Sequence, residues 1–179
     1  MPNFRRPSAP GTEVFFTVVA HQRRPILTEP AIREALRAAI NTVRTQRPFH
    51  VDAWVLMPDH LHCIWSLPES DGDFATRWSA IKRLVTQACA TTAESPSRQR
   101  RREGSLWQRR FWEHQLRDDL DRERHFDYLH WNPVKHGLVR RVADWPYSTF
   151  HRWVRDGVYP ADWGGDISES RFPVQDFGE

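Results

Sequence analysis

The stretch "VLMPDHLHCIWSLP" (residues 55–68) sits at the centre of the chain's pattern of apolar runs. It closes one strand, "HVDAWVLM" (50–57), and opens another, "HLHCIWSL" (60–67), across a tight Pro58-Asp59 connection. Side chains alternate along a strand, so Leu61, Cys63, Trp65 and Leu67 share an apolar face. His60 and His62 share the other, at about 6–7 Å between Cα atoms. Working outward, each strand of this hairpin is flanked by a helix. "EPAIREALRAAINTVRTQ" (29–46) places Pro30 at a first-turn position and spaces Ile32, Leu36, Ile40 and Val43 helically. "DFATRWSAIKRLVTQACATTAE" (73–94) sets Phe74, Trp78, Ile81, Leu84, Val85 and Ala88 on one side. Beyond the helices lie two further strands, "EVFFTVVAH" (13–21) and "LWQRRFWEHQLR" (106–117).

The resulting order, β-α-β-β-α-β, is a split βαβ pattern. It predicts an α+β, ferredoxin-like fold: a four-stranded antiparallel sheet with two helices on one face and the first and third strands central. The histidine strand then lies mid-sheet, on a rigid element suited to holding a site. A third helix, "DLDRERHFDYLHW" (119–131), follows the fourth strand, with Asp119 or Asp121 as N-cap. Short helical pieces come next, in "NPVKHG" and "DWPYSTFHRWVRDG". We divide the chain into a body over 1–155 and an acidic C-terminal tail over 156–179.

Hydrophobic residues make up 39% of the 179 and charged ones 27%, the balance of a globular domain with a real core. No apolar run reaches membrane-spanning length and the N-terminus lacks a secretory core, so the expected location is the cytoplasm. Cys63 and Cys89 then read as reduced thiols. The net charge of +3 is uneven: residues 156–179 hold six acids against Arg171, which leaves 25 bases and 17 acids upstream. A basic body with nine tryptophans and ten phenylalanines suits a nucleic-acid partner, since arginines meet phosphates and flat rings stack on bases. Solvated arginines over an aromatic core explain the same composition.

Two imidazoles at this spacing can converge on one metal ion given further oxygen or nitrogen ligands. An isolated H-x-H also reads as two half-exposed sheet histidines. "HFDYLHWNPVKHGLV" (125–139) offers partners for a metal site. Arg124, Tyr128 and Asn132 fall four apart, on one side of a helix, while Phe126 and Leu129 anchor it. Tyr128 also reads as a core tyrosine, and Asn132, preceding Pro133, as the end of one helix and the cap of the next. Spacing leaves both readings open.

"MPDHLHCIW", "LWQRRFWEHQLRDD", "YLHWNPVKHGLV" and "DWPYSTFHRWV" together resemble the REP-associated tyrosine transposases, relatives of the single-strand transposases in the HUH endonuclease superfamily. The resemblance implies an HUH fold, in agreement with the element order. It implies that His60 and His62 bind a divalent ion, Mg²⁺ or Mn²⁺, that Asn132 completes its shell, and that Tyr128 is the nucleophile. The implied substrate is single-stranded DNA at repetitive extragenic palindromes, folded as hairpins, and the implied chemistry is cleavage and rejoining through a 5′-phosphotyrosine. No glycine loop for a nucleotide phosphate is present, and none is needed, because the covalent link stores the bond energy.

Arg109, Arg110, Arg124, Lys135 and His136 are the candidate DNA contacts, with the run "RQRRR" (98–102) a further one to the backbone. On a strand only one of Arg109 and Arg110 reaches a given surface. The acidic tail reads as a solvated end, or as a segment lying on the basic surface until DNA displaces it. Other readings are a non-catalytic hairpin binder on the same fold and a replication initiator or relaxase of the same superfamily. A nucleoid-associated monomer or homodimer, with no membrane partner, is expected.

Overall fold

The computed structural model describes residues 11–89 and 106–164. The stretch expected to be a basic loop (95–105), the expected end of the second helix (90–94) and the last part of the acidic tail lie outside the described residues. Four strands, β1 (Glu13–Val19), β2 (His50–Leu56), β3 (His60–Ser66) and β4 (Trp112–Gln115), form one sheet in the order β2-β3-β1-β4. Every pairing is antiparallel. The hairpin turn is closed by Met57 N–H donating to His60 O at 2.9 Å. The α+β, ferredoxin-like arrangement expected from the element order is therefore present, with β1 and β3 central.

Helices α1 (Pro30–Gln46) and α2 (Phe74–Cys89) cover one sheet face. Pro30 occupies the first turn of α1, where its missing N–H costs nothing. Ile32, Leu36, Ala39 and Val43 recur at helical spacing and are all buried. They meet Val14, Phe16 and Val18 of β1 and Leu61, Cys63 and Trp65 of β3. The indoles of Trp65 and Trp78 stack at 4.4 Å in this layer. Residues of opposite parity face the other way: Phe15, Ala53, Val55 and Ile64 pack against Phe126, Tyr128 and Leu129 of α3 (Asp119–Lys135). The site is thus built in the layer between the sheet and α3.

Three expectations need correction. The fourth strand is four residues long and does not span 106–117. Trp107 bridges Ala20, with His21 N donating to Leu106 O and Gln108 N to Val19 O, both at 2.9 Å, but Lys82 Nζ takes the Gln108 carbonyl at 2.9 Å and the pairing with β1 resumes only at Trp112. Second, the N-cap of α3 is Asp118, whose carboxylate accepts from Asp121 N at 2.8 Å, where Asp119 or Asp121 was expected. Third, α3 does not stop at residue 131. It runs through Asn132 and Pro133 to Lys135, because both are buried with Val134 and their packing outweighs the local preference against helix before proline. It ends in a Schellman motif: Leu138 N donates to Pro133 O and Gly137 N to Val134 O, both at 2.9 Å, with Gly137 at φ +68°.

A short helix, α4 (Phe150–Arg155), follows. The acidic stretch begins packed: Tyr159 and Trp163 join Val134, Val142 and Phe150 in a small cluster, and Tyr159 Oη donates to Asp127 Oδ1 at 2.7 Å. No helix among the described residues is long and apolar enough to cross a membrane.

Candidate active site

β3 delivers His60 and His62 to the face under α3, and both are almost wholly buried. Their ring centroids are 4.8 Å apart. His60 Nδ1 lies 2.7 Å from Asp59 Oδ1. Burial pushes the Asp59 carboxyl up, but the hydrogen bond and charge of His60, with Arg23, overrule it and hold it at about 2. An ionised carboxylate only accepts, so His60 Nδ1 donates to it, which turns Nε2 of the same ring away from Asp59. His62 Nδ1 is 2.9 Å from Thr17 Oγ1 on β1, and Phe15 stacks on the same ring at 5.4 Å. Both Nδ1 atoms are committed, so a metal ion at this pair would meet the buried Nε2 atoms.

α3 brings the remaining groups. Phe126 and Leu129 anchor it on the sheet, as expected, and Tyr128 lies 9% exposed with its ring 5.4 Å from that of His62. Asn132, one turn on, is fully buried. Because the helix passes through it, its amide is not an N-cap; its backbone carbonyl accepts from His136 N at 3.0 Å. Lys135 Nζ donates to Tyr128 Oη at 3.3 Å and stands 5.0 Å from the ring centroid. The ring of His136 lies 5.3 Å from that of His60. Residues 60, 62, 128, 135 and 136 therefore meet in one place, with the buried Asn132 one turn beyond Tyr128 on the same helix. Arg124 does not lie with them: it is exposed, and the cation placed at the phenol is Lys135. Arg109 and Arg110 precede β4 instead of lying in a strand, and both are exposed, so alternation does not divide them.

Sequence reasoning missed the groups that orient the site. Thr17 and Asp59 fix the two imidazoles, and Phe15 touches His62, Tyr128 and His125 at centroid distances of 5.4, 6.2 and 4.9 Å. A lone threonine in the apolar run "EVFFTVVAH", and an aspartate adjoining the H-x-H, were the available signals. Also missed was a second cluster, His114, Asp121 and His125, whose ligand atoms all lie within 4.8 Å. It is separate from the H-x-H pair. Asp121 Oδ2 already accepts from His114 Nε2 at 2.8 Å and Arg117 Nε at 3.2 Å, while His125 Nδ1 reaches the Asp121 carbonyl at 2.7 Å. Burial raises the Asp121 carboxyl, yet His114 and Arg117 bring it down to about 2. A carboxylate shared by an imidazole and a guanidinium reads as a tie between β4 and α3, two turns before Tyr128.

The model of the family described as "Transposase IS200 like" matches residues 11–130. A REP-associated tyrosine transposase of Escherichia coli (strain K12) is 46% identical over 169 residues, 94% of each chain. A Haemophilus influenzae relative is 42% identical over 168 residues, 93% of this chain and 95% of its own. The solved structure of a REP-associated tyrosine transposase bound to a REP hairpin superimposes with a TM-score of 0.79, at 43% identity, covering 99% of this chain and all of the other. An HUH-type family implies a divalent metal. The residues present fit one: two imidazoles with Nδ1 fixed, one of them by a carboxylate, and a buried amide oxygen on Asn132. With its fold, its converged histidines and tyrosine and relatives that match it nearly end to end, the chain belongs to the IS200-like transposase family, among the REP-associated tyrosine transposases.

Proposed function

We propose that this protein cleaves and rejoins single-stranded DNA at repetitive extragenic palindrome hairpins through a 5′-phosphotyrosine on Tyr128. The observation that carries this reading is the meeting of Tyr128 with His60 and His62, brought from β3 and α3 to one layer at a ring separation of 5.4 Å from His62. A core tyrosine needs neither a paired imidazole strand nor a cation on its oxygen. Hairpin recognition follows from the solved relative, which is bound to one.

His60, His62 and Asn132 would hold the cation, Mg²⁺ or Mn²⁺. When bound, it supplies Lewis-acid polarisation of a non-bridging phosphate oxygen. The chain's own groups do the rest. Asp59 and Thr17 lock the imidazoles in orientation. A phenol has a pKa of about 10, so little phenolate forms near neutrality unaided. Lys135 Nζ, 3.3 Å from Oη, favours the anion as its proton departs. Tyr128 Oη then bonds to phosphorus as the bond to the 3′-oxygen breaks; that oxygen takes up a proton and leaves as a 3′-hydroxyl. Attack by a 3′-hydroxyl on the phosphotyrosine reverses the step and joins strands. Arg109, Arg110 and Arg124, all exposed, and His136 beside His60 serve as DNA contacts.

Incubation with a labelled hairpin oligonucleotide and Mn²⁺ tests the reading. A denaturant-resistant protein–DNA band is expected, lost in Tyr128→Phe and in chelator, with hairpin binding retained by Tyr128→Phe. A band that persists in Tyr128→Phe removes that residue from the chemistry. One that persists in chelator or in His60→Ala removes the metal.

A further inference from the structure

We infer that Trp112 forms a stacking subsite for an unpaired base of the DNA strand, beside the scissile phosphate. This rests on the single-strand reading above and adds a residue that the chemistry does not require. Trp112 pairs with Thr17 across β4–β1, and Thr17 pairs with His62 across β1–β3. Directly paired residues in antiparallel strands point to the same face. The three side chains therefore form a row across the face that carries the site. Two strand spacings put the Trp112 backbone about 10 Å from that of His62.

Among the described residues Trp112 is the most exposed aromatic, at 37%, whereas the other large rings of that face are turned inward. Its indole is held, not loose. The His114 ring lies nearly parallel to it, 10° off at 5.9 Å, and Phe15 meets it edge-on at 5.8 Å. His114 is in turn fixed by Asp121 at 2.8 Å. The His114–Asp121–His125 cluster thus acquires a role as the buttress of this platform. Exposed Arg109 and Arg110 lie just upstream, where they can meet the phosphates on either side of a stacked base. Stacking tolerates any base, because each has a π-face, so the subsite positions the strand without reading it.

The test uses the full chain carrying Tyr128→Phe, to prevent cleavage, and hairpins with 2-aminopurine at each unpaired position of the foot in turn. Quenching is expected at one position and is expected to disappear in Trp112→Ala. Affinity for the footed hairpin should fall about 5- to 100-fold in Trp112→Ala. Trp112→Phe should stay within about threefold, and a blunt hairpin without unpaired bases should bind unchanged. Trp112→Leu keeps apolar bulk without a π-face and should resemble Trp112→Ala; it replaces that variant if thermal melting shows Trp112→Ala to be unfolded. Undiminished quenching without the indole, or equal losses on footed and blunt hairpins, overturns the subsite. The outcomes separate cleanly from the parent reading: absence of any adduct in the protein with Tyr128 intact defeats the transposase chemistry, while an adduct alongside unchanged Trp112→Ala binding defeats the subsite alone.

Discussion

Replacing Lys135 by Met removes the ammonium that stands 3.3 Å from Tyr128 Oη. Two charges at that distance interact by about 5 kcal/mol at an effective dielectric of 20, which sets a ceiling. The half-buried position of Lys135 and its screening lower that figure. A hydrogen bond to a charged group contributes about 1.5–3 kcal/mol and one between neutral partners about 0.5–1.5. The preference of Lys135 for phenolate over phenol is thus about 1–2 kcal/mol, or 5- to 30-fold in rate. The assay is single-turnover adduct formation at saturating hairpin and fixed Mn²⁺, followed from pH 6 to 9. Lys135→Met is expected to lower the saturated rate by that factor near neutrality. The deficit should narrow as pH rises, because solvent then assists deprotonation. Lys135→Arg should recover most of the rate. A variant that loses hairpin affinity but keeps the saturated rate at every pH would refute the argument and make Lys135 a phosphate contact only.

Three further outcomes follow from the geometry. Asp59→Asn removes the carboxylate that fixes His60 at 2.7 Å, and about a 10- to 100-fold rise in the Mn²⁺ concentration for half-maximal cleavage is expected; an unchanged metal titration contradicts the orienting role. His130, fully buried and bonded to Thr149 Oγ1 at 3.0 Å, has its pKa pushed down to about 3 by burial. Between that value and about 6.5 the unfolded chain binds a proton that the folded one refuses, so stability falls as pH falls, by about 2 kcal/mol at pH 5 from this group. Denaturant titrations at pH 5 and 7 should show His130→Gln losing that share of the difference, and equal differences would contradict it. Gly137→Ala meets no atom within 4 Å at its new Cβ, so its cost is the left-handed backbone alone, about 1–2 kcal/mol by thermal melting; a neutral result would mean that the motif closing α3 relaxes freely.

The fold was legible because its elements carry clean periods. Alternation in "HLHCIWSL" put Leu61, Cys63 and Trp65 on the helix side and the histidines on the other, and burial in the structure follows that division. The partners of the two histidines were not legible. Thr17 comes from a strand 45 residues away, and only the register of β1 against β3 sets it opposite His62. Helical spacing grouped Arg124 with Tyr128, yet Lys135, seven residues on, reaches the phenol with its long side chain, while Arg124 faces solvent. Local rules also ended α3 too early. Asn132 before Pro133 reads as a break, but burial of Pro133 and Val134 against the rest of the body carries the helix on, which brings Lys135 to the phenol and His136 to His60 and buries Asn132, between Tyr128 and Lys135 in sequence. β4 was overdrawn for the converse reason: Trp107 and Phe111 both go to the core, but the ladder breaks off after the single bridge at Trp107 and resumes only at Trp112.

Peptide mapping of the covalent species tests the central assignment most directly. The protein is trapped with a labelled hairpin and Mn²⁺, digested with protease and nuclease, and sequenced by mass spectrometry. A single modified peptide is expected, carrying a 5′-linked nucleotide on Tyr128. A nucleotide on Tyr147 or Tyr159, a 3′ linkage, or strand cleavage with no protein-bound product would contradict the assignment.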